Sequence, residues 1–134
     1  MTASRLTIRE HMTSSPHTIE SAQALTLARQ RMRAYSVRHL PVVHDGELVG
    51  TLSDRDVARI VALPGIEVAA LTVGDVMSPD PYAVAPETPL AEVVGEMAAH
   101  HYGSAVVVDG GKILGIFTVS DALSAFADTL DAGA

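Results

Sequence analysis

The chain contains no cysteine and no tryptophan, and aromatic residues make up only 4% of its 134 residues. Without cysteine there is no disulfide framework, no thiolate nucleophile and no cysteine-based metal site, which fits a reducing cytoplasm. Hydrophobic residues still reach 48%. The core must therefore be built from aliphatic side chains.

Basic residues are also scarce, with 9 Lys and Arg against 16 Asp and Glu, and the formal net charge is −7. This charge would repel a nucleic-acid backbone, so we expect no nucleic-acid partner. No apolar run approaches the ~20 residues of a membrane span, and the first residues lack the pattern of a signal peptide. We therefore expect a cytoplasmic protein without a membrane partner, in which helix ends could still bind a small anion.

An internal repeat organises the sequence, because a shift of 65 residues aligns its two halves without a gap. Met12 matches Met77, Pro16 matches Pro81, and Gly50 matches Gly115. Apolar spacing and hairpin turn residues predict the order β-α-β-β-α in each half. The predicted helices are 22–35, 54–63, 89–101 and 120–126, and the predicted strands are 17–19, 39–43, 48–52, 82–84, 104–108 and 112–117.

The predicted fold class is α/β (α+β), with two such repeats. The strands are nearly continuous apolar runs, which indicates that helices cover them. A half of about 60 residues is marginal alone, so we expect the halves to pack with pseudo-two-fold symmetry and to leave two equivalent crevices. The first repeat spans 5–63, the linker 64–70, the second repeat 71–126 and a C-terminal tail 127–134.

Each repeat contains one turn from a strand into a helix, Gly50 to Asp56 and Gly115 to Asp121. The hydroxyl of Ser53 or Thr118, with an acid three residues later, resembles a capping box and so has a purely structural interpretation. The same groups suit a nucleotide, because helix N–H groups bind phosphate, a carboxylate can accept from two ribose hydroxyls, and glycine permits close approach. The recurrence of all three residue types favours a ligand site.

Together with these turns, several stretches resemble a tandem pair of CBS domains, the regulatory modules named after cystathionine beta-synthase. The stretches are 8–12 (IREHM), 37–43 (VRHLPVV), 73–77 (VGDVM) and 106–108 (VVV), with Pro16 and Pro81. The resemblance covers about residues 5–126, which leaves no room for a separate effector domain. It implies a stand-alone Bateman module that binds AMP, ADP, ATP or S-adenosylmethionine between its halves, senses cellular energy and signals to an effector protein.

The resemblance also implies roles for individual residues. Asp56 and Asp121 would hold the ribose, and Ser53 and Thr118 would contact phosphate. The adenine edge would lie near the short strands, and apolar walls would come from the residues around the next strand. These positions are Thr18, Ile19, Tyr82, Ala83 and Val84 for the adenine, and Val37, Leu40, Pro41, Tyr102 and Ala105 for the walls.

The two repeats differ in charge at their turns. Arg38 corresponds to Gly103 and Arg55 to Ser120. Arginine suits bidentate phosphate contact, so the first site is predicted to bind the nucleotide more tightly. The alternative is that these arginines only pair with Asp54 or Glu47 at the surface. His39 could also face the phosphate.

No nucleophile elbow, P-loop or metal-ligand spacing appears, and the adjacent His100 and His101 do not form a helical metal pair. We therefore expect no enzymatic activity and no metal. Apolar faces on the last helix of each repeat predict a homodimer. A pure interaction or dimerisation module without nucleotide is the second hypothesis. The apolar faces comprise Val57, Ile60 and Val61, and Ala122, Leu123, Ala125 and Phe126.

Overall fold

The computed structural model describes residues 6–133. Arg5, where we begin the first repeat, and Ala134, at the end of the tail, lie outside the described residues. Contacts divide the described chain into two compact units: a central unit of residues 17–81, and a split unit of residues 6–16 and 82–133. No helix within the described range is long and apolar enough to cross a bilayer.

The elements follow each other in the same order in both repeats. In chain order they are β1 (Thr13–Ser14), β2 (Ile19–Glu20), α1 (Leu25–Tyr35), β3 (His39–His44), β4 (Glu47–Ser53), α2 (Asp54–Val61), α3 (Val73–Val76), β5 (Ser78–Pro79), β6 (Ala83–Val84), α4 (Leu90–His100), β7 (Ser104–Asp109), β8 (Lys112–Thr118) and α5 (Val119–Gly133), with 3-10 turns at Ile8–Glu10 and Val68–Ala70.

The central unit contains a four-stranded sheet in the order β2-β3-β4-β5. β2 runs parallel to β3, and the other two pairings are antiparallel. The hairpin of β3 and β4 turns at Asp45 and Gly46, which both have positive φ (49° and 80°), as a two-residue type I′ turn requires. Helix α1 packs its buried residues Leu25, Ala28 and Met32 onto this sheet.

The split unit repeats this arrangement with the order β1-β8-β7-β6. Its hairpin turns at Gly110 and Gly111, again with positive φ (57° and 82°). Phe117 is fully buried in its core, which otherwise consists of aliphatic residues such as Ile8, Val93 and Val107. The aliphatic cores and the α+β repeats expected from the sequence are confirmed.

Each unit takes its fourth strand from the other repeat. β5 follows the linker, yet it pairs with β4, where Gly50 lies opposite Pro79. In the same way β1, from the start of the chain, pairs with β8 beside Gly115. The sequence gave no prediction for these two-residue strands, because two residues are too few to show an apolar alternation.

Glycine at these crossings has a packing reason. A Cβ on Gly50 would lie 2.7 Å from both Met77 Sδ and the Ser78 carbonyl oxygen, and one on Gly115 would lie 2.9 Å from the Thr13 carbonyl oxygen. The glycines therefore let the exchanged strand approach, rather than a ligand as the sequence suggested.

Four predicted helix boundaries were wrong. α1 begins at Leu25 instead of Ala22, because the Leu25 N–H donates to the Leu71 oxygen at 2.9 Å while Ala24 stays extended. α4 likewise begins at Leu90 instead of Pro89, since its first N–H donates to Leu6 at 2.8 Å. The third boundary is the end of α2 at Val61 instead of residue 63. The fourth is α5, which continues through residues 127–133.

Candidate functional site

The turn into α2 forms a complete capping box. The Asp56 N–H donates to Ser53 Oγ at 3.1 Å, and the Ser53 N–H donates to Asp56 Oδ2 at 3.0 Å. The exchanged strand adds a third group, because the Ser78 hydroxyl lies 3.4 Å from both carboxylate oxygens of Asp56. The carboxylate is thus held by one backbone donor and one hydroxyl, and it remains partly exposed.

The turn into α5 has the same construction. The Thr118 N–H donates to Asp121 Oδ2 at 2.9 Å, and the Asp121 N–H donates to Thr118 Oγ1 at 3.4 Å. The Thr13 hydroxyl donates to Asp121 Oδ1 at 3.3 Å. Sequence reasoning missed Thr13 and Ser78, although the shift of 65 residues aligns these two hydroxyl residues.

A capping box by itself is not evidence for a ligand in this chain. Thr72 and Asp75 form a third one, with N–H donations of 2.9 and 3.3 Å, at a short helix that follows no long strand. The hydroxyl and the acid of each turn therefore have a structural role, as one of the two interpretations of the sequence held. Any ligand function must rest on the groups around the turns.

Two arginines stand beside the first turn. The Arg38 carbonyl accepts from the Asp54 N–H at 2.9 Å, which fixes Arg38 next to the first residue of α2. Arg55 lies on the first turn of that helix, and both arginines are exposed. Within residues 6–133 neither guanidinium forms an ion pair, so the alternative pairing with Asp54 or Glu47 is not formed.

His39 lies at the centre of this charged group. It opens β3 directly opposite Ser53 of β4. Burial lowers the pKa of His39 below its usual 6.5, although the nearby Asp54 and Asp56 oppose this effect. Arg38 and Arg55 lower the pKa further. The first turn therefore presents exposed cationic groups around an imidazole that favours its neutral form.

The second turn has an aromatic and acidic surrounding instead. Gly103 and Ser120 replace the two arginines. The rings of Tyr82 and Tyr102 stack with centroids 5.1 Å apart, and His100 stacks on Tyr102 at the same distance. The pKa of Tyr82 is raised by burial and then by Glu96 and Glu92.

The other predicted contact residues divide into buried and accessible ones. Leu40 and Ala105 are completely buried in the two cores, and Pro41, Ile19 and Val84 are buried as well, so these side chains support the site from beneath. The accessible ones are Thr18, Val37, Ala83 and Tyr102. The first group of contact residues, from Thr18 to Asp56, lies in the central unit, and the second, from Tyr82 to Asp121, lies in the split unit.

No three His, Asp or Glu side chains within residues 6–133 are grouped as metal ligands would be. The charged groups at the first turn are therefore suited to bind an anion directly, through guanidinium, imidazole and helix N–H groups.

The family model of the CBS domain matches residues 8–63 and 73–128. The chain therefore belongs to the CBS domain family, as its motifs indicated. Its relatives include the CBS domain-containing protein YhcV of Bacillus subtilis, 29% identical over 114 residues that cover 85% of this chain and 81% of YhcV.

Solved structures share the fold over nearly the whole chain. An uncharacterized conserved protein from Pyrococcus horikoshii has a TM-score of 0.82 and 31% identity, with 91% of this chain and 92% of that one covered. CBSX2, whose crystal structure is a complex with AMP, has a TM-score of 0.80 and 25% identity, with 91% and 97% covered.

Proposed function

We propose that this protein is a non-catalytic regulatory module that binds an adenine nucleotide and signals its presence to a separate effector protein. The observation that carries the proposal is the pair of exposed, unpaired guanidiniums of Arg38 and Arg55 at the start of α2. The complex of the relative CBSX2 with AMP supports the same ligand class. AMP, ADP and ATP are the favoured ligands, and S-adenosylmethionine is the alternative.

In this proposal each part of the nucleotide meets a different group of the first turn. The guanidiniums and the N–H groups of α2 bind the phosphate. Asp56 Oδ1 accepts only from Ser78 at 3.4 Å, which leaves lone pairs for ribose hydroxyls. The accessible Thr18 and Val37 would border the adenine.

The two sites should differ in affinity, because only the first one carries arginines. Hydrogen bonds to charged groups contribute roughly 1.5–3 kcal/mol each, so the loss of one arginine should weaken AMP binding about tenfold to a hundredfold. Arg55→Ser gives the first turn the residue of the second, and the reciprocal control Ser120→Arg should strengthen the second site. Calorimetry with AMP measures both variants. Equal AMP affinity for Arg55→Ser and the unmodified protein would contradict the proposal.

A dimerisation or scaffold module without nucleotide is the second candidate, and the structural roles of Ser53, Asp56, Thr118 and Asp121 favour it. Thermal unfolding with AMP, ADP, ATP, S-adenosylmethionine and NADH separates the two. A ligand at 100 times its Kd stabilises by about 2.7 kcal/mol, which raises the Tm of a chain of this size by roughly 10 °C. No shift with any of the five would favour the scaffold.

We further propose that the protein forms a homodimer in the cytoplasm, senses the energy state through its ligand, and has neither nucleic-acid nor membrane partners. The net charge of −7 supports the absence of a nucleic-acid partner. The exposed apolar side chains Leu123, Phe126 and Leu130 support self-association. Turnover of a bound nucleotide, lost in Asp56→Ala, would show that the protein is an enzyme after all.

A further inference from the structure

An open groove runs between α1 and α2 on the surface of the central unit. It has a volume of about 430 Å³, and its lining includes the apolar side chains of Met32, Val57 and Val61. Arg29 and Arg33 also line it, on the α1 side. The groove is thus an apolar channel with a basic border.

Helix α5 of the split unit presents the opposite surface, a row of apolar side chains that we name the α5 stripe. It consists of Val119, Leu123, Phe126 and Leu130, which are 49%, 63%, 59% and 57% exposed. Spacings of four, three and four residues keep all four on one face of the helix, as in a helix that packs against others. So many large apolar side chains in one exposed row mark an interaction surface.

Charge decides which surface the α5 stripe fits. α5 carries Asp121, Asp128 and Asp131 and no basic residue. α1 carries Arg29, Arg31 and Arg33 and no acidic residue. The neighbouring helix α4 has Glu92 and Glu96 without Lys or Arg, so the acidic character extends beyond α5.

Pairing of like surfaces is therefore unfavourable. Two α1–α2 grooves face to face would bring six guanidiniums of α1 together, and two α5 helices would bring six carboxylates together. Like charges across an interface cost several kcal/mol, whereas opposite charges select the partner and its orientation.

We propose that the α1–α2 groove of one copy receives the α5 stripe of a second copy of this chain. The proposal rests on the proposed homodimer and specifies which surfaces form it. Phe126 and Leu130 contact the apolar lining, and Asp128 and Asp131 face Arg29 and Arg33. A two-fold pair of chains makes this contact twice, since unlike surfaces meet.

Charge reversal tests the contact. Arg29→Glu/Arg33→Glu and Asp128→Arg/Asp131→Arg should each raise the dimer Kd roughly a hundredfold, because each places like charges across the contact. An equimolar mixture of the two variants should associate again, since the reversed charges then match. Sedimentation velocity from 1 to 100 µM measures all four samples, including the unmodified protein.

A matched control separates the groove from net charge. Arg31→Glu/Arg59→Glu changes the charge by the same amount on the same two helices, but neither residue lines the groove. This control should keep the dimer within about threefold of the unmodified Kd, as expected for charges outside a contact. Far-UV circular dichroism verifies that every variant is folded.

The outcomes distinguish this proposal from the homodimer itself. If the unmodified protein is a monomer at 100 µM, both fail. If it is a dimer that survives both reversals, or if the mixture does not associate, the homodimer stands and the docking of α5 into the groove is wrong. Stronger self-association of Arg29→Glu/Arg33→Glu alone would show that like surfaces pair.

Discussion

Gly50→Ala should destabilise the protein through the crossing of β4 and β5. A new Cβ would lie 2.7 Å from Met77 Sδ and from the Ser78 carbonyl oxygen. The methionine is flexible, but the carbonyl belongs to the backbone of β5, which pairs with β4 at this point. To reach an ordinary contact of 3.4 Å, β5 would have to retreat by 0.7 Å, the difference between 3.4 and 2.7 Å.

That retreat has two consequences for stability. Inserting a methyl group into a well-packed region costs about 1–3 kcal/mol. It also stretches the 3.4 Å contacts between Ser78 Oγ and Asp56, so the turn into α2 loses a supporting hydroxyl. We expect the free energy of unfolding to fall by about 2 kcal/mol, a central value of the same range.

Gly95→Ala is the matched control. Gly95 lies inside α4, and a Cβ there would meet nothing within 4 Å. Alanine is favoured over glycine in a helix by about 0.5–1 kcal/mol, so this variant should be slightly more stable.

Equilibrium unfolding in urea measures both changes. With a slope of about 2 kcal/mol/M, the midpoint of Gly50→Ala should fall by roughly 1 M and that of Gly95→Ala should rise by a few tenths. A Gly50→Ala midpoint equal to that of the unmodified protein would refute the packing role of this glycine. A matching loss in Gly115→Ala, at the other crossing, would extend it to both units.

Three further changes test the site and the core. Ser53→Ala removes the acceptor for the Asp56 N–H and should cost about 0.5–2 kcal/mol, measured by urea unfolding; no change would show that the capping box contributes nothing. The pKa of His39 is lower in the folded protein than its usual 6.5, so the unfolded chain binds more protons and stability should fall as the pH drops below 6.5. His39→Gln should flatten this slope in thermal unfolding at pH 5–8, and an unchanged slope would contradict it. Phe117→Ala should cost about 3–5 kcal/mol because the ring is fully buried, whereas Phe126→Ala should change self-association more than unfolding; equal losses of stability would be inconsistent with this core.

The long elements were predictable because their sequences show two periods and a duplication. Hairpin turns such as Asp45-Gly46 require positive φ at both residues, and few residue types tolerate that, so these turns were found correctly. The helix starts were wrong by one to three residues. Leu25 and Leu90 are fixed by hydrogen bonds to Leu71 and Leu6, and such distant partners leave no trace in the local pattern.

The candidate site was only partly predictable. Ser53 and Asp56 could be placed together from their spacing alone, because a strand-to-helix turn brings them within hydrogen-bond distance. Ser78 comes 22 residues later, and only the exchanged strand brings it to the same carboxylate. Periodicity likewise could not tell that Leu40 and Ala105 are completely buried, since a strand covered on both faces is apolar at every position.

The exchanged strands make the boundaries of the sequence repeats poor places to cut the chain. A fragment of residues 71–133 would contain the whole turn from Gly115 to Asp121, but it would lack Thr13, the hydroxyl that supports Asp121. A fragment of residues 17–81 would keep every strand of its sheet. Removal of the first 16 residues would therefore damage the turn near the opposite end of the sequence and leave the nearer one intact. An insertion or tag close to Thr13 should be judged by its effect on Asp121.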